Sequence, residues 1–498
     1  MATKTYLFPE PNLEFAHGQC LPSPHDGMGL FGPYDLGRPS QPKNIVYGLV
    51  GTDTGVAAFR QWGKILSKAQ IHPEEASRRL WPPFPGFEAV TGAVWPLEPA
   101  WTQSLDAQAL ADAAVIKDPY QRAAKLVSFY LDPLARARKR DENFGVFICV
   151  VPDVVWQNCR PKSVVSEGTG FRLSSKEKKF RKQGMGDLFD EYDVDDYQYS
   201  VDFRRQLKAK AMEYDLPIQI LRESTLKPDD SHEFGDRGLT PLSDRAWNLT
   251  TALYYKSGGK PWRLAAAREG VCYLGIAFRL IEENKSTACC AAQMFLDSGD
   301  GIVFLGDYGP WYSEESKQFH LTGEAAQNLL AGILRTYQEL EGKPLKEIFL
   351  HSRSDISAEE FAGYQKACPP GVSLVGVRIR PETRGFRLFR KGRRPVLRGT
   401  FVQDSERSGF LWANGFKLRL MTYDGWEVPV PLRIDLQHGT ADIEQVAKDV
   451  FSLTKLNYNT CKLGESQPVT VHFSDAVGEI LVNNPKTRKP QHSFKYYI

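Results

Sequence analysis

Arg204 and Lys208 stand four residues apart in "FRRQLKAKA", so on a helix their side chains leave one face a turn apart and two cations converge. Gln219 follows in "LPIQIL", just past the turn "YDLP", where its amide can reach the same anion. Lys256 closes a further helical stretch, "LSDRAWNLTTALYYK", ahead of Gly258 and Gly259, and supplies a third cation. Guanidinium, ammonium and amide donors together suit a terminal phosphate, which accepts several charge-assisted hydrogen bonds. The competing reading is a cationic i,i+4 pair on a solvated helix face that binds nothing.

A second stretch is notable for what it lacks. "VCYLGIAFRL", residues 271–280, is short and apolar and precedes the polar Glu282, Glu283 and Asn284, so it predicts a buried strand opening a new domain. Several metal-dependent nucleases carry a carboxylate at the centre of such a strand; here the position holds Ala277. A later strand, "EIFLHSRSD", offers Arg353 and, two residues on, Asp355, and "FSDAVGEIL" offers Asp475.

Two tracts are basic. Residues 171–182, "FRLSSKEKKFRK", give way at once to the acidic "DLFDEYDVDD" of 187–196. From Arg378 to Arg398, arginines including Arg380, Arg384, Arg387 and Arg390 alternate with Phe386 and Phe389. Arginine beside aromatic rings suits phosphate contact with base or sugar packing, and Arg384, Arg387 and Arg390 are the expected backbone contacts. The plainer reading is a solvated hairpin surface.

The elements that must position these residues follow from length and pattern. A chain of 498 residues exceeds one ordinary core, so two or three domains are expected. With 63 basic and 60 acidic residues the net charge is only +3, too small to imply nucleic-acid binding by itself. No apolar run approaches the roughly 18 to 20 residues of a membrane helix, and "MATKTYLFPEPN" lacks a signal-peptide layout, so a cytoplasmic protein is expected. The 8 cysteines form no CxxC pair, which argues against zinc sites and a disulfide scaffold; Cys289 and Cys290 should pack in a sheet. His351 and His472 sit in apolar strand contexts that favour core roles, and no serine-nucleophile motif is present.

The first 130 or so residues are rich in proline and glycine. From "FGVFICVVPDVVW" (144–156) apolar strands alternate with helical segments, which predicts an α/β fold with a mainly parallel sheet. A helix over Arg122 to Asp132 precedes that strand, and a charged insertion of about 160–200 follows it. The helix ending at Lys256 should be capped by Ser243 or Asp244 and stopped by the two glycines. A boundary near 268 divides the chain into 1–268 and 269–498; the second part carries helices over 323–341 and 441–454 and the closing "SFKYYI".

The order of a basic i,i+4 pair, a Gln in "LPIQIL" and "N-x5-YYKSGG" resembles the MID domain of Argonaute proteins, whose pocket holds a guide's 5′-phosphate. Arg204, Lys208, Gln219 and Lys256 fall on the pocket positions in turn, with Lys260 a rival to Lys256. "YLGIAFR", "EIFLHSRSD" and "LTKLNYN…PVTVHFSDAVGEIL" look like segments of a PIWI domain, and "FKYYI" like the family's apolar carboxyl terminus. The resemblance implies a Rossmann-like MID domain followed by an RNase H-like PIWI domain. It also implies that the Ile498 carboxylate helps hold a Mg2+ ion beside the guide phosphate.

Cutting PIWI domains use acidic residues around two metal ions. Here the first such position is Ala277 and the third aligns with Arg353, while Asp475 fits the fourth and no glutamate is assigned to the second. A methyl group cannot ligate magnesium and a guanidinium repels it, so the resemblance implies an inactive PIWI domain. Taken with length, the chain is similar to short prokaryotic Argonautes. These work with an APAZ-containing effector, TIR or sirtuin-like, that depletes NAD once a guide RNA has paired with a DNA target. Two alternatives stay open: an active guided endonuclease using Asp355 and Asp475, and an α/β enzyme binding a small phosphorylated metabolite.

Overall fold

The computed structural model describes every residue except 1–3, 141, 166–167, 171–172, 184–192, 230–238, 282–283, 296–300, 314, 316, 341–342, 384, 424, 426, 483, 485 and 488–490. After strand β1 (Lys4–Leu7), four strands form one parallel sheet: β2 (Tyr47–Thr52), β3 (Trp101–Leu105), β4 (Val146–Val151) and β5 (Ile218–Arg222). Their spatial order is β3-β2-β4-β5. Strands β2 and β4 are buried along their whole length, as a parallel strand must be when helices cover both faces.

Polar side chains start most of the helices around this sheet. The Thr52 hydroxyl accepts from Gly55 N at the start of α1 (Asp53–Leu66). The Asp118 carboxylate does the same for Tyr120 and Gln121 in α2 (Pro119–Ala137), and Asp202 for Arg205 in α3 (Phe203–Ala211). The helix expected over 122–132 is thus the middle of a longer one. Helix α4 (Leu242–Lys256) departs from expectation: it starts after Pro241 with no side-chain cap, and Ser243 and Asp244 lie inside its first turn. Pro241 presets the backbone for entry, and Asp244 still faces the positive end of the helix. Past Ser257, Gly258 takes φ +97°, the left-handed region that ends the helix.

A second, nine-stranded sheet contains β6 (Val271–Ile281), β7 (Asn284–Phe295), β8 (Gly301–Gly309), β9 (Glu347–Ser352), β10 (Ser373–Pro381), β11 (Thr400–Gln403), β12 (Ser408–Leu411) and β13 (Leu432–His438). Its order is β1-β11-β12-β13-β10-β9-β6-β7-β8, mostly antiparallel, with β9 running parallel to both β6 and β10. Strand alternation sorts β6 into two faces. Cys272, Leu274 and Ile276 join Leu330 and Ile333 of α5 (Gly323–Leu340) in one core. On the other face Gly275 lies against α7 (Val469–Val482), so closely that a Cβ there would meet Thr470 O at 2.0 Å. Between them in sequence, α6 (Ile443–Ser452) fills the place expected for 441–454. Cys289 and Cys290 lie on β7.

The amino-terminal segment reaches both halves of the chain. Strand β1 pairs with β11 of the larger sheet, Lys4 opposite Gln403 and Leu7 opposite Thr400. Leu13 and Glu14 pair with Leu264 and Arg263, next to the smaller sheet's last helix. No described helix is long and apolar enough to cross a membrane.

Candidate nucleic-acid interface

Lys208 of α3 and Lys256 of α4 meet at one atom. Lys208 Nζ donates to the main-chain oxygens of Tyr497, at 3.0 Å, and of Ile498, at 2.5 Å. Lys256 Nζ donates to the same Ile498 oxygen and to Ile218 O at 3.0 Å. Both lysines are buried, 2% and 0% exposed, where an ammonium group needs oxygen partners to repay its lost hydration. Arg204, one turn before Lys208, is exposed yet close enough to act on both. Burial first, and the Arg204 and Lys256 charges after it, push Lys208 well below the ordinary lysine range. Burial and Arg204 push Lys256 down to about 7. An anion entering beside these groups would reverse the repulsion.

Gln219 is half-buried on β5, next to the Ile218 carbonyl that Lys256 uses. Its Nε2 donates at 3.4 Å to Ile220 O, and its Oε1 is buried with no hydrogen-bond partner, so an acceptor is left for a ligand or ion. Lys260, the rival of Lys256, lies past the helix end, where its backbone N–H donates to Asp35 Oδ2 at 2.9 Å.

From Gln219 a cavity of about 370 Å³ opens between β5 and α4. Asn248 and Ala252 line it, four residues apart on the helix face that Lys256 continues one turn further. Trp156, Arg222 and Asn459 also line it, with the Arg222 guanidinium 5.4 Å from the Trp156 ring centroid. Sequence reasoning did not single out these three. The only sequence signal was the run of aromatic and basic residues near strand ends, too common to pick them out.

The second site brings Ala277 and Arg353 together. In the parallel pair β6/β9, Ser352 is opposite Ile276, and the next residues on each strand are Arg353 and Ala277. Both line a cavity of about 180 Å³ with Ser352 and Ser354. Asp355 is turned to other work: it accepts from Arg378 and Gln437. Although burial pushes its carboxyl up, a Gln318 hydrogen bond and the Arg378 charge hold it below the ordinary carboxylate range. Asp475 lies on α7, its side chain outside the described residues. Among the described residues no cluster of three or more His, Cys, Asp or Glu could hold a metal ion.

The expected basic surface of 378–398 divides: Arg380, Arg390, Lys391, Arg393 and Arg394 are exposed, whereas Arg378, Arg387 and Arg398 are committed to internal contacts. Arg378 Nη2 pairs with Asp435 at 2.8 Å, and the buried Arg398 pairs with Glu10 at 3.1 Å. Arg387 donates to the carbonyls of Glu382, Phe386 and Thr383. Phe386 is half-buried and stacks on Phe410, 4.4 Å between centroids, so one of its faces is already covered. Arg390 and Phe389 remain exposed, and Arg384 lies outside the described residues. In the first tract, Ser175–Lys182 form a helix started by a reciprocal Ser174–Glu177 cap, while 171–172 and most of the acidic run lie outside the described residues.

The histidines divide. His351 is buried, held below the ordinary range at about 3 by burial, and bonds through Nδ1 to Thr470 Oγ1 at 2.9 Å. His472 is on helix α7 and exposed, because the segment read as a strand starts with Pro468 and continues as helix.

A parallel four-stranded sheet with its lysine pocket, joined to a larger mixed sheet, defines the class: this is the Argonaute-like MID–PIWI fold. No protein-family model matches the sequence, and no curated protein does. Among solved structures the chain is similar to Clostridium butyricum Argonaute bound to a guide DNA and a 19-mer target DNA, with a TM-score of 0.65 and 13% identity. It is similar as well to A. aeolicus Argonaute (0.57, 14%) and to Drosophila Piwi (0.58, 13%). These matches cover 100%, 100% and 99% of this chain but only 55%, 56% and 56% of those proteins, so the chain spans about half their length.

Proposed function

We propose that the chain is the guide-binding subunit of a prokaryotic immune system. It holds a short 5′-phosphorylated guide RNA, pairs it with single-stranded DNA of an invader, and activates an APAZ-containing partner whose TIR or sirtuin-like domain depletes NAD. The observation that carries this reading is the meeting of Lys208 and Lys256 at Ile498, with Arg204 close enough for its charge to act on both. A pocket with that many donors is built for a group carrying about −1.5 to −2 charge, which a terminal phosphate has and an internal phosphodiester lacks. The cavity running on from Gln219 along α4 would take the guide's next nucleotides, leaving sequence recognition to base pairing.

A Mg2+ ion is consistent with the donors present. Where Ile498 ends the chain, its oxygen belongs to a carboxylate, a hard oxygen ligand of the kind magnesium takes, and the phosphate and waters would complete the set. Bound there, the ion would neutralise charge between carboxylate and phosphate. The two lysines already do part of that work.

We assign no cutting activity to the chain. On the resemblance Ala277 and Arg353 stand where cutting relatives carry acids; the two line one cavity, and Asp355 is bound to Arg378 and Gln437. On this reading the output comes from the partner.

The test is binding of a labelled 21-nucleotide RNA with 5′-phosphate or 5′-hydroxyl. Preference for the phosphate, lost in Lys208→Ala, supports the reading; equal affinity for both ends sinks it. A DNA guide of the same sequence distinguishes guide chemistry, and co-purified nucleic acid and protein identify the natural guide and partner.

A further inference from the structure

We propose that the free edge of β1, with the cavity at its carboxyl end, docks an extended segment of a partner protein that carries acidic and apolar residues. The segment adds to the larger sheet as a further strand. The inference rests on the proposed function only for the existence of a partner, and guide binding is measured beside it so that the two fail separately.

The larger sheet ends differently at its two sides. At β8 the chain covers its own edge: Ile302 bridges Ser493, and Val303 N donates to His492 O at 2.8 Å. At β1 no strand lies beyond the edge among the described residues. Phe8 N donates to Gly399 O at 2.9 Å, so in the antiparallel pairing with β11 the main-chain groups of Lys4 and Tyr6 face the same way. Those of Thr5 and Leu7 therefore face outward, a row of N–H and C=O groups onto which another strand can pair.

The side chains beside this edge show what the added strand must carry. The cavity, about 450 Å³, has apolar walls of Phe8, Phe416 and Leu463. Leu7 and Leu418 also line it, yet they are 57% and 56% exposed. Cations exceed acids around them. Arg394 is exposed, its guanidinium 5.0 Å from the centroid of the Phe416 ring, and Arg419 in the lining pairs with Asp26. Glu10, also in the lining, is shared by two buried cations, Arg398 at 3.1 Å and Lys455 at 2.9 Å. Burial pushes Lys455 down to about 8 against the pull of Glu10, so at neutral pH two positive charges share one negative. An arriving carboxylate meets a surplus of positive charge, and apolar side chains next to it meet Leu7 and Leu418.

The same charges choose among occupants. A second copy pairing antiparallel would bring its own Lys4 towards Arg394 and Arg419, and one pairing parallel would set the two cation groups together. Like charges oppose both. A nucleic-acid strand would satisfy the cations but has no alternating N–H and C=O groups to pair with Thr5 and Leu7. An extended polypeptide uses both features.

The experiment titrates the full chain with a fluorescein-labelled twelve-residue peptide of alternating Glu and Val and reads anisotropy. The comparison probes are a Lys–Val peptide, the Glu–Val peptide with every main-chain N–H methylated, and oligothymidylate. Thr5→Pro removes an outward N–H, leaves the β11 pairing alone and should weaken the Glu–Val peptide about tenfold. Leu418→Asp should weaken it similarly, and Arg394→Glu should weaken it while strengthening the Lys–Val peptide. Affinity for 5′-phosphorylated guide RNA and the thermal midpoint should stay unchanged. Equal binding of the Glu–Val and Lys–Val peptides, or of the plain and methylated ones, overturns the inference, as does no binding at millimolar peptide. It falls too if sedimentation shows the chain pairing with itself until Thr5→Pro breaks the pair, since the edge then belongs to a second copy. A loss in Arg394→Glu confined to oligothymidylate gives the surface to nucleic acid and likewise overturns it. Wild-type protein that binds the peptides as described but no guide overturns the proposed function and leaves this inference supported.

Discussion

Arg353 follows the Ser352–Ile276 pair in the parallel register of β9 and β6 and so adjoins Ala277, a guanidinium beside a methyl group at the strand centre. Two-metal cleavage requires carboxylates at such positions to bring both ions to the scissile phosphate. With a matched guide and target and either Mg2+ or Mn2+, no product cut opposite the guide centre should form. Denaturing gel electrophoresis reads this directly, and a discrete product would restore the endonuclease alternative.

The pocket lysines set the sign of the pH dependence expected for the proposed guide binding. Lys256 is depressed to about 7, so its charge is lost as pH rises through that value. A bound phosphate favours the charged form, and binding above pH 7 must therefore take up a proton. Affinity for 5′-phosphorylated guide should fall between pH 7 and 9 by up to about tenfold per unit, one proton being linked. A 5′-hydroxyl guide should show a much flatter profile, and Lys256→Met should flatten the phosphorylated one.

Residues added after Ile498 should damage the pocket. Ile498 is 3% exposed and both lysines donate to its oxygen, so, where Ile498 ends the chain, a tag fused to it replaces a carboxylate with a neutral amide and pushes its chain through a packed wall. Losing a charge-assisted contact costs about 1.5–3 kcal/mol, or roughly tenfold to a hundredfold in affinity. An amino-terminal tag on the same protein serves as the control, and equal guide affinity for the two tagged proteins would contradict the role given to Ile498.

Gly275→Ala tests the packing under the second site. Its Cβ would meet Thr470 O at 2.0 Å, a backbone atom that cannot swing away. Urea unfolding should show a loss of about 1–3 kcal/mol from the forced separation of β6 and α7. A neutral result would mean the helix shifts freely along the strand.

Much of this was legible from the chain because the decisive residues report their own geometry. A four-residue spacing put Arg204 and Lys208 on one face, and Gly258 after Lys256 marked a helix end. The part that was illegible depends on partners far away in sequence. Arg378 and Arg398 looked available for phosphate because Asp435 and Glu10, which claim them, are set beside them only by strand pairing and by the path of the amino-terminal segment. Arg222 and Trp156 come together because β5 runs alongside β4, Arg222 opposite Val151, and nothing local announces that. The unassisted start of α4 was missed because a proline's fixed backbone angle, and no side chain, does the work.

Strand β1 is stitched into the larger sheet while Ile498 is clasped by the smaller domain's lysines, so each half has lent a piece of chain to the other. Such reciprocal lending means that cutting the polypeptide near 268 would strip both halves at once: the first would keep a strand with no neighbour, and the second would carry away the plug of its counterpart's pocket. Movement of one half against the other must therefore be a flexing of one knitted body, and its amplitude is bounded by how far these two borrowed segments can stretch before they let go.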